Sequence, residues 1–441
     1  MISRSKEHLA PALRNQLLRS VLSEFLLGRE ERETLRRYYE NRHPILERRR
    51  EAGLPNHRLC HGFARYITTM ASGYLLGKPV SYQAREQQEA LQPLLQAYAR
   101  TDVQSLDAEL ARQASIYGRG VEILYADEHA SPRASSVSPE NAFVVYDAAI
   151  SLKPLLGIRF SEERNVENHL QGYRIEVYTP EQMEVYHAPQ LLSSSYGTPE
   201  IVPHFFGGVP MIEYWNGEDE QGDFASVLTL IDAYDRLESD RVNDKEQFVD
   251  ALLVITGARM ETDERGRTPA QQLRQDKLLY LPDQEAGASY LARSMPENDV
   301  EVLRDAIKSD IHKFSLVPDL TDEHFSGNTS GVAMKFKLLG LDQLVRMKER
   351  WFREGLRERL RRFAHFLQVQ GARPVDADSV QMLFARSLPV NDLEISQTVM
   401  NYRGFVPDDM LLTQVPFVQD AEKTAARVRE INDRKETVPN E

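Results

Sequence analysis

One stretch constrains this chain more than any other. Between residues 331 and 370, Leu341, Leu344, Val345, Met347, Trp351, Phe352, Leu356, Leu360, Phe363 and Leu367 recur at helical spacing. An unbroken helix over that span is about 60 Å long. Its apolar face has to be covered by other parts of the chain. At 441 residues there is more chain than one ordinary core holds, so two or three packed units are expected. A hydrophobic share of 41% and a charged share of 27% are those of a folded soluble protein.

Several classes are disfavoured at once. No run of about 18 apolar residues is present, so no segment is read as a membrane span. The N-terminal residues keep interrupting their apolar positions with charge, unlike the core of a signal peptide. The single cysteine, Cys60, permits no intrachain disulfide and fits synthesis in a reducing cytoplasm. A net charge of −13 argues against a protein that grips duplex DNA by neutralising phosphates. That charge is compatible with a protein that surrounds DNA without holding it.

Along the chain, the first 50 or so residues read as helical through Leu17, Leu18, Val21, Leu22, Leu26 and Leu27, before charge takes over at Arg48-Arg49-Arg50. A second amphipathic helix is expected over 56–76 and a third from Leu106 to Tyr117. Val121–Tyr125, Ala142–Tyr146, Leu155–Phe160 and Tyr173–Tyr178 are rich in β-branched and aromatic residues and read as strands. Ser131-Pro132 and Ser138-Pro139 read as turns, and 189–200 and 216–222 as loops. A helix follows from Phe224 to about Thr256, then a small insert with a strand at Leu278–Leu281, then a helix over Glu297–Leu316. A polar loop, 317–330, leads into the long helix. A strand at Val380–Ala385 and two or three short helices finish the chain. The fold class is α+β.

Motifs of catalysis are weak. Gly73-Tyr-Leu-Leu-Gly77-Lys78 has three residues between its glycines where a phosphate loop needs four, and Pro79 where it needs Ser or Thr. A helix stop is the better reading. His57, Cys60 and His61 share one face if 56–76 is helical, but His129, His187, His204, His312, His324 and His365 are scattered and no second Cys/His cluster completes a zinc set. No metal or other cofactor is expected, and no catalytic residue is assigned. Asn328-Thr329-Ser330 matches a glycosylation acceptor by chance. Asp319, Asp322 and Glu323 form an acidic cluster that a metal-dependent nuclease would use to hold Mg²⁺; a solvated acidic loop is the better reading. In Glu297–Leu316 a narrow stripe of Val300, Leu303, Ile307, Ile311 and Phe314 lies beside alternating charge. Such a helix suits one buried face, or sideways packing against copies of itself in a ring.

An ordered series of segments resembles the portal proteins of long-tailed double-stranded DNA phages, in the family typified by a Bacillus phage. The series starts with Tyr38-Tyr39-Glu-Asn-Arg-His43, Asn56-His-Arg and Gly62-Phe-Ala-Arg-Tyr66, then Tyr74-Leu-Leu-Gly77-Lys78-Pro79-Val80. It continues through Tyr117-Gly118, Glu122–Tyr125, Tyr146-Asp147, Gly157-Ile158-Arg159, Val209–Asn216, Gly222-Asp223-Phe224, Ile231–Asp235, Asp240, Asn243 and Asp244. It ends with Leu388-Pro389, Asp392, Glu394 and Gly404. No single piece decides; the order does.

The resemblance implies a ring, twelve-fold, at one capsid vertex of the virion, through which DNA is packaged and ejected. It implies partners: further copies of the chain, the passing double-stranded DNA, the terminase packaging motor, a neck or adaptor protein, and capsid and scaffolding proteins, with no membrane. It divides the chain into a wing (1–223), a stem helix (224–256), a clip (257–296), a second stem helix (297–316), a tunnel loop (317–330), a long wing helix (331–371), and a last wing strand with a small crown (372–441). The tunnel loop holds Val317, Pro318, Asp319, Thr321, Asp322, Glu323, His324, Phe325 and Asn328. Glu301, Arg304, Asp305 and Lys308 are the expected channel-lining residues of the stem. Twelve copies multiply the −13 of one chain, and an acidic channel repels the phosphate backbone. The other readings are the nuclease at 319–323 and a helical scaffold or adaptor protein.

Overall fold

The computed structural model describes residues 1–52, 54–84, 88–249, 252–256, 287–291, 297–321, 331–386, 392–413, 415, 418 and 421–436. They form two compact units. The larger comprises Met1–Arg36, Tyr66–Ala225 and Leu316–Glu441, the smaller Arg37–Arg65 and Ser226–Ser315. Residues 37–65, expected in the wing, therefore fall in the same compact unit as 226–315. The expected clip, with its strand at Leu278–Leu281, lies largely outside the described residues, as do Asp322, Glu323, His324, Phe325 and Asn328 of the expected tunnel loop.

The larger unit is built in layers. Helix Arg14–Leu27 places Leu17, Leu18, Val21, Leu22 and Phe25 on one face of a six-stranded sheet, against Phe143, Val145, Leu156, Ile158, Ile175 and Val177. Phe25 stacks on Phe143 at a centroid distance of 4.3 Å. In spatial order the strands are Ile2–Arg4, Ala142–Asp147, Pro154–Arg164, Leu170–Tyr178, Gln182–Ala188 and Glu200–Pro203. All neighbours are antiparallel except the first pair. The other face of this sheet presents Ala142, Val144 and Tyr146 to a three-stranded sheet of Met211–Trp215, Arg119–Ala126 and Pro132–Val137.

Met211–Trp215 is buried at every position because it is sandwiched. Side chains alternate across a strand, so Met211, Glu213 and Trp215 meet the six-stranded sheet while Tyr214 packs on Phe352 of helix Leu339–Val369. A strand covered on both faces loses the polar alternation that makes strands legible in sequence. Pro132–Val137, Gln182–Ala188 and Glu200–Pro203 were not expected as strands, nor Gln88–Thr101 as a helix. Pro132 opens its strand at the end of a ladder, where a missing N–H costs little.

The long helix starts later than its periodicity suggests. Gly331–Lys337 is a separate helix, and Leu339–Val369 runs 31 residues, about 46 Å. Its buried stripe is Leu341, Val345, Lys348, Phe352, Gly355, Leu356, Arg359, Leu360, Phe363 and Phe366. Met347 and Trp351, expected inside, are exposed. Lys348 and Arg359 take buried positions instead, because carboxylates lie beneath them. The expected strand near 380–385 is Gln381–Leu383, paired with Ser81–Gln83. The chain ends in helices Asp392–Tyr402, Asp408–Leu412 and Ala421–Glu436.

In the smaller unit, the helix expected from Phe224 to Thr256 begins at Leu228 and stops at Val249. Leu252–Thr256 is a strand, antiparallel to Gly287–Leu291, as its Leu-Leu-Val-Ile-Thr run favours. Helix Glu297–Ser315 packs against Leu228–Val249. Of its expected apolar stripe, Ile311 is fully buried, while Leu303 and Phe314 are 50% and 56% exposed.

Candidate functional site

In the smaller unit, the segment before helix Phe63–Leu76 is neither helix nor strand, where a helix was expected over 56–62. Such a segment has backbone N–H groups to satisfy, and helix Leu228–Val249 supplies the acceptors. His57 N–H donates to Asn243 Oδ1 at 2.7 Å, Leu59 N–H to Ser239 Oγ at 3.0 Å, and His61 N–H to Asp235 Oδ1 at 2.8 Å. The spacing explains the fit. Four helical residues rise about 6 Å, and two extended residues about 6.7 Å. A helix carrying short polar side chains at 235, 239 and 243 thus acts as the edge of a strand. All three acceptor residues are fully buried.

The same helix gathers charge. His43 Nδ1 lies 2.5 Å from Asp235 Oδ2, and His43 Nε2 lies 3.2 Å from the Tyr38 carbonyl. His61 Nδ1 lies 2.8 Å from Asp235 Oδ1. Burial pushes the Asp235 carboxyl up, but hydrogen bonds from His43 and His61 outweigh it and hold the group below the usual carboxylate range. Tyr38 stacks on His43 and donates its hydroxyl to Asp232 at 2.6 Å. Arg48 and Arg50 both reach Asp240. Cys60 completes this group: burial raises its thiol above the usual range. His57 is separate from it, paired with Glu246 at 2.6 Å in an exposed position. His57, Cys60 and His61 therefore do not share a helix face.

The larger unit holds a second polar centre. Arg359 is fully buried and donates to Asp107 at 2.6 Å and to Glu122 at 2.7 Å. Tyr214 donates its hydroxyl to Glu122 at 2.6 Å. Burial pushes the Glu122 carboxyl up, and Arg359 pulls against it. About three turns earlier on the same helix, Lys348 pairs with Asp223, which also accepts from Ser115 at 2.5 Å and from Asn216 at 2.8 Å. Glu213 accepts from Arg119, from Tyr146 and from the Val144 amide. These groups fix the long helix and the inner strand in register.

Gly118 ends helix Val103–Tyr117 at φ 81°. A Cβ there would overlap the backbone of Glu220 and Gln221, so glycine is required on two counts.

The structure places the expected site residues in two groups. Glu301, Arg304 and Asp305 lie together on helix Glu297–Ser315, with Arg304 bridging Glu301 at 3.2 Å and Asp305 at 2.8 Å; Lys308 is half-buried on the same helix. Val317 is fully buried, and Tyr66 pins the residues after it, donating to the Pro318 carbonyl at 2.8 Å and accepting from Leu320 N–H at 2.9 Å. Asp319 accepts from the Thr321 amide and hydroxyl. Of the three acidic residues offered as a nuclease centre, only Asp319 is described, and its carboxylate closes this turn. Gly73–Leu76 are helical, as a helix stop near Gly77 requires.

Sequence reasoning did not single out Lys348, Arg359, Ser239 or Asp107. Lys348 and Arg359 had a signal: each occupies a position of the apolar stripe. Tyr38, His43, Glu122, Glu213, Tyr214, Asn216, Asp223, Asp232, Asp235, Asp240 and Asn243 all belong to the segments that carry the resemblance, and the fold turns them into one another's partners.

A model of the family described as "Phage portal protein, SPP1 Gp6-like" matches residues 21–437. The portal protein of Bacillus phage SPP1 is 24% identical over 396 residues, covering 85% of this chain and 76% of the relative. The portal protein of Clostridium phage phiCD119 is 23% identical over 431 residues, covering 92% and 93%. Among solved structures, a chain from the neck of an empty gene transfer agent (GTA) particle with C6 symmetry aligns with TM-score 0.46 at 12% identity, over 89% of this chain and 92% of that one. A chain from the virion of the native particle aligns with TM-score 0.43, also at 12% identity and with the same coverage.

Proposed function

The chain belongs to the SPP1 Gp6-like phage portal family, and from that membership we propose that copies of it close into a ring through which double-stranded DNA enters and leaves the capsid. The observation that carries this reading is the family match across residues 21–437. A phage portal protein is a structural component of the virion at the head–neck junction. The ring subunits, the DNA, the packaging motor, the neck protein and the capsid and scaffolding proteins are the partners this reading assigns, and catalysis is not part of it.

Within the ring, helices Leu228–Val249 and Glu297–Ser315 are assigned to the stem. The strand pair Leu252–Thr256 and Gly287–Leu291 is assigned to the base of the clip, where motor and neck proteins dock. The layered sheets and Leu339–Val369 form the wing, residues 317–330 the tunnel loop, and 392–436 a small crown. Two features support this. The chain is acidic, at −13, so a channel made from it repels phosphate. Helix Glu297–Ser315 leaves Val302 70% and Leu303 50% exposed, apolar surface that a neighbouring copy would cover. Residues 37–65 belong with the stem in this scheme, since their polar groups are matched to Leu228–Val249.

Electron microscopy and sedimentation of the purified protein test it. Closed rings with a central channel are expected, twelve copies of a 50.5 kDa chain giving about 606 kDa. A protein that stays monomeric or dimeric at every concentration and salt overturns it.

A further inference from the structure

The cluster around Asp235 carries more than a structural role. We propose that His43, Cys60 and Asp235 form a binding site for a thiophilic divalent cation, with zinc as the ion the donor set fits. One donor atom from each residue, a ring nitrogen, a sulfur and a carboxylate oxygen, lies within 4.8 Å of the other two. His43 and Asp235 are fully buried and Cys60 half-buried. Tetrahedral zinc with bonds of about 2.0–2.3 Å holds its ligand atoms roughly 3.3–3.6 Å apart. The site reaches that geometry with side-chain shifts on the order of 1 Å.

The surroundings are those of a metal site. Ligating histidines usually donate their second N–H to a carbonyl or carboxylate. His43 Nε2 faces the Tyr38 carbonyl at 3.2 Å, which leaves Nδ1 as the ligand. Asp235 Oδ1 is held by the His61 ring at 2.8 Å and by the His61 amide at 2.8 Å, so Oδ2, which faces His43 Nδ1 at 2.5 Å, is the oxygen that turns to the ion as it enters between the two. The fourth position falls to water on the half-buried side of Cys60. Nitrogen, sulfur and a single carboxylate select against Mg²⁺ and Ca²⁺, which take oxygen donors.

Without metal, both His43 nitrogens face oxygen acceptors, Asp235 Oδ2 and the Tyr38 carbonyl. Metal ligands bind deprotonated, so binding releases protons, that of the Cys60 thiol among them. The dication then faces one thiolate and one carboxylate, and its charge is balanced within the buried group.

The test uses the full-length protein stripped with chelator. Added zinc is expected to bind at one ion per chain, to raise the melting temperature, and to release protons, seen as a buffer-dependent enthalpy in calorimetry. Cobalt(II) is expected to give a thiolate-to-cobalt charge-transfer band in the near ultraviolet. The chain has one cysteine, so the wild-type cobalt spectrum alone reports on this site. Cys60→Ser should abolish the band and weaken zinc binding at least about tenfold, and His61→Gln should weaken it about 10- to 100-fold. Mg²⁺ should do nothing. Absence of the cobalt band, or zinc binding unchanged by Cys60→Ser, overturns the site and leaves a metal-free His43–Asp235 pair.

Discussion

The guanidinium of Arg359 and the carboxylate of Glu122 lie 2.7 Å apart with both side chains fully buried. A second carboxylate, Asp107, shares the same guanidinium at 2.6 Å. Removing one partner of such a group costs about 3–5 kcal/mol, because the other charge stays buried and unpaired. Arg359→Met should lower the unfolding free energy by about that amount, read by urea denaturation. Arg359→Lys should recover little of it, since an ammonium lacks the planar fork that spans two carboxylates. A loss below about 1 kcal/mol for Arg359→Met would mean the long helix is held by its apolar contacts alone.

Gly355 gives a test in which packing and propensity disagree. A Cβ at this position would come within 2.5 Å of the Tyr214 ring, and that ring is itself fully buried. Helix propensity favours Gly355→Ala by about 1 kcal/mol. Overpacking costs about 1–3 kcal/mol. Destabilisation is expected in thermal or chemical denaturation; a raised melting temperature would show that Tyr214 has room to move.

The register between helix and segment 57–61 predicts local exchange behaviour. Ser239→Ala removes the acceptor for Leu59 N–H, and Asn243→Ala the acceptor for His57 N–H. Each should cost about 1–3 kcal/mol. Amide hydrogen exchange should accelerate first at Leu59 in one variant and at His57 in the other. Uniform acceleration over 57–61 in both would mean the segment is released as a unit.

Acid should weaken the six-stranded sheet through Glu176. Burial pushes its carboxyl up, but hydrogen bonds from Arg159 and Arg174 outweigh this and hold it below the usual range. A depressed carboxyl stabilises the fold fully above its unfolded pKa, about 4.3, and that contribution is lost as pH falls through the folded value. The melting temperature of the wild type should drop across that window more steeply than that of Glu176→Gln. Parallel curves would assign the acid response to other carboxylates.

Ring assembly should depend on the exposed apolar residues of helix Glu297–Ser315. Val302→Glu with Leu303→Glu alters only exposed positions, so the isolated chain should stay folded, within about 0.5 kcal/mol per site. Sedimentation should show monomers where the wild type forms rings. Rings of normal size would place the subunit contact elsewhere.

Residues 317–330 give a test in infected cells. Deleting Thr321–Gly327 should leave rings intact and impair DNA packaging or retention. Full packaging by the deletion would make the segment a simple connector.

Local pattern alone determined much of the fold. Apolar residues at helical spacing marked Arg14–Leu27, Val103–Tyr117, Glu297–Ser315 and the long helix, and β-branched runs marked the strands Arg119–Ala126, Ala142–Asp147, Pro154–Arg164 and Leu170–Tyr178, because burial on one face imprints a period on the sequence. The ordered Tyr38–His43, Glu122, Glu213–Asn216, Asp223 and Ile231–Asp235 segments carried the family. Tertiary structure decided what no period records. The backbone of 57–61 is held outside any helix because the acceptors for its N–H groups, at 235, 239 and 243, lie some 180 residues away. Lys348 and Arg359 turn inward, and Met347 and Trp351 outward, because Asp223, Glu122 and Asp107 meet that face of the helix. His43, Cys60 and Asp235 converge from three distant stretches. A charged side chain in an apolar stripe, or a histidine in a loop, has no local reason for its place. Its partner supplies the reason, and only the folded chain brings the two together.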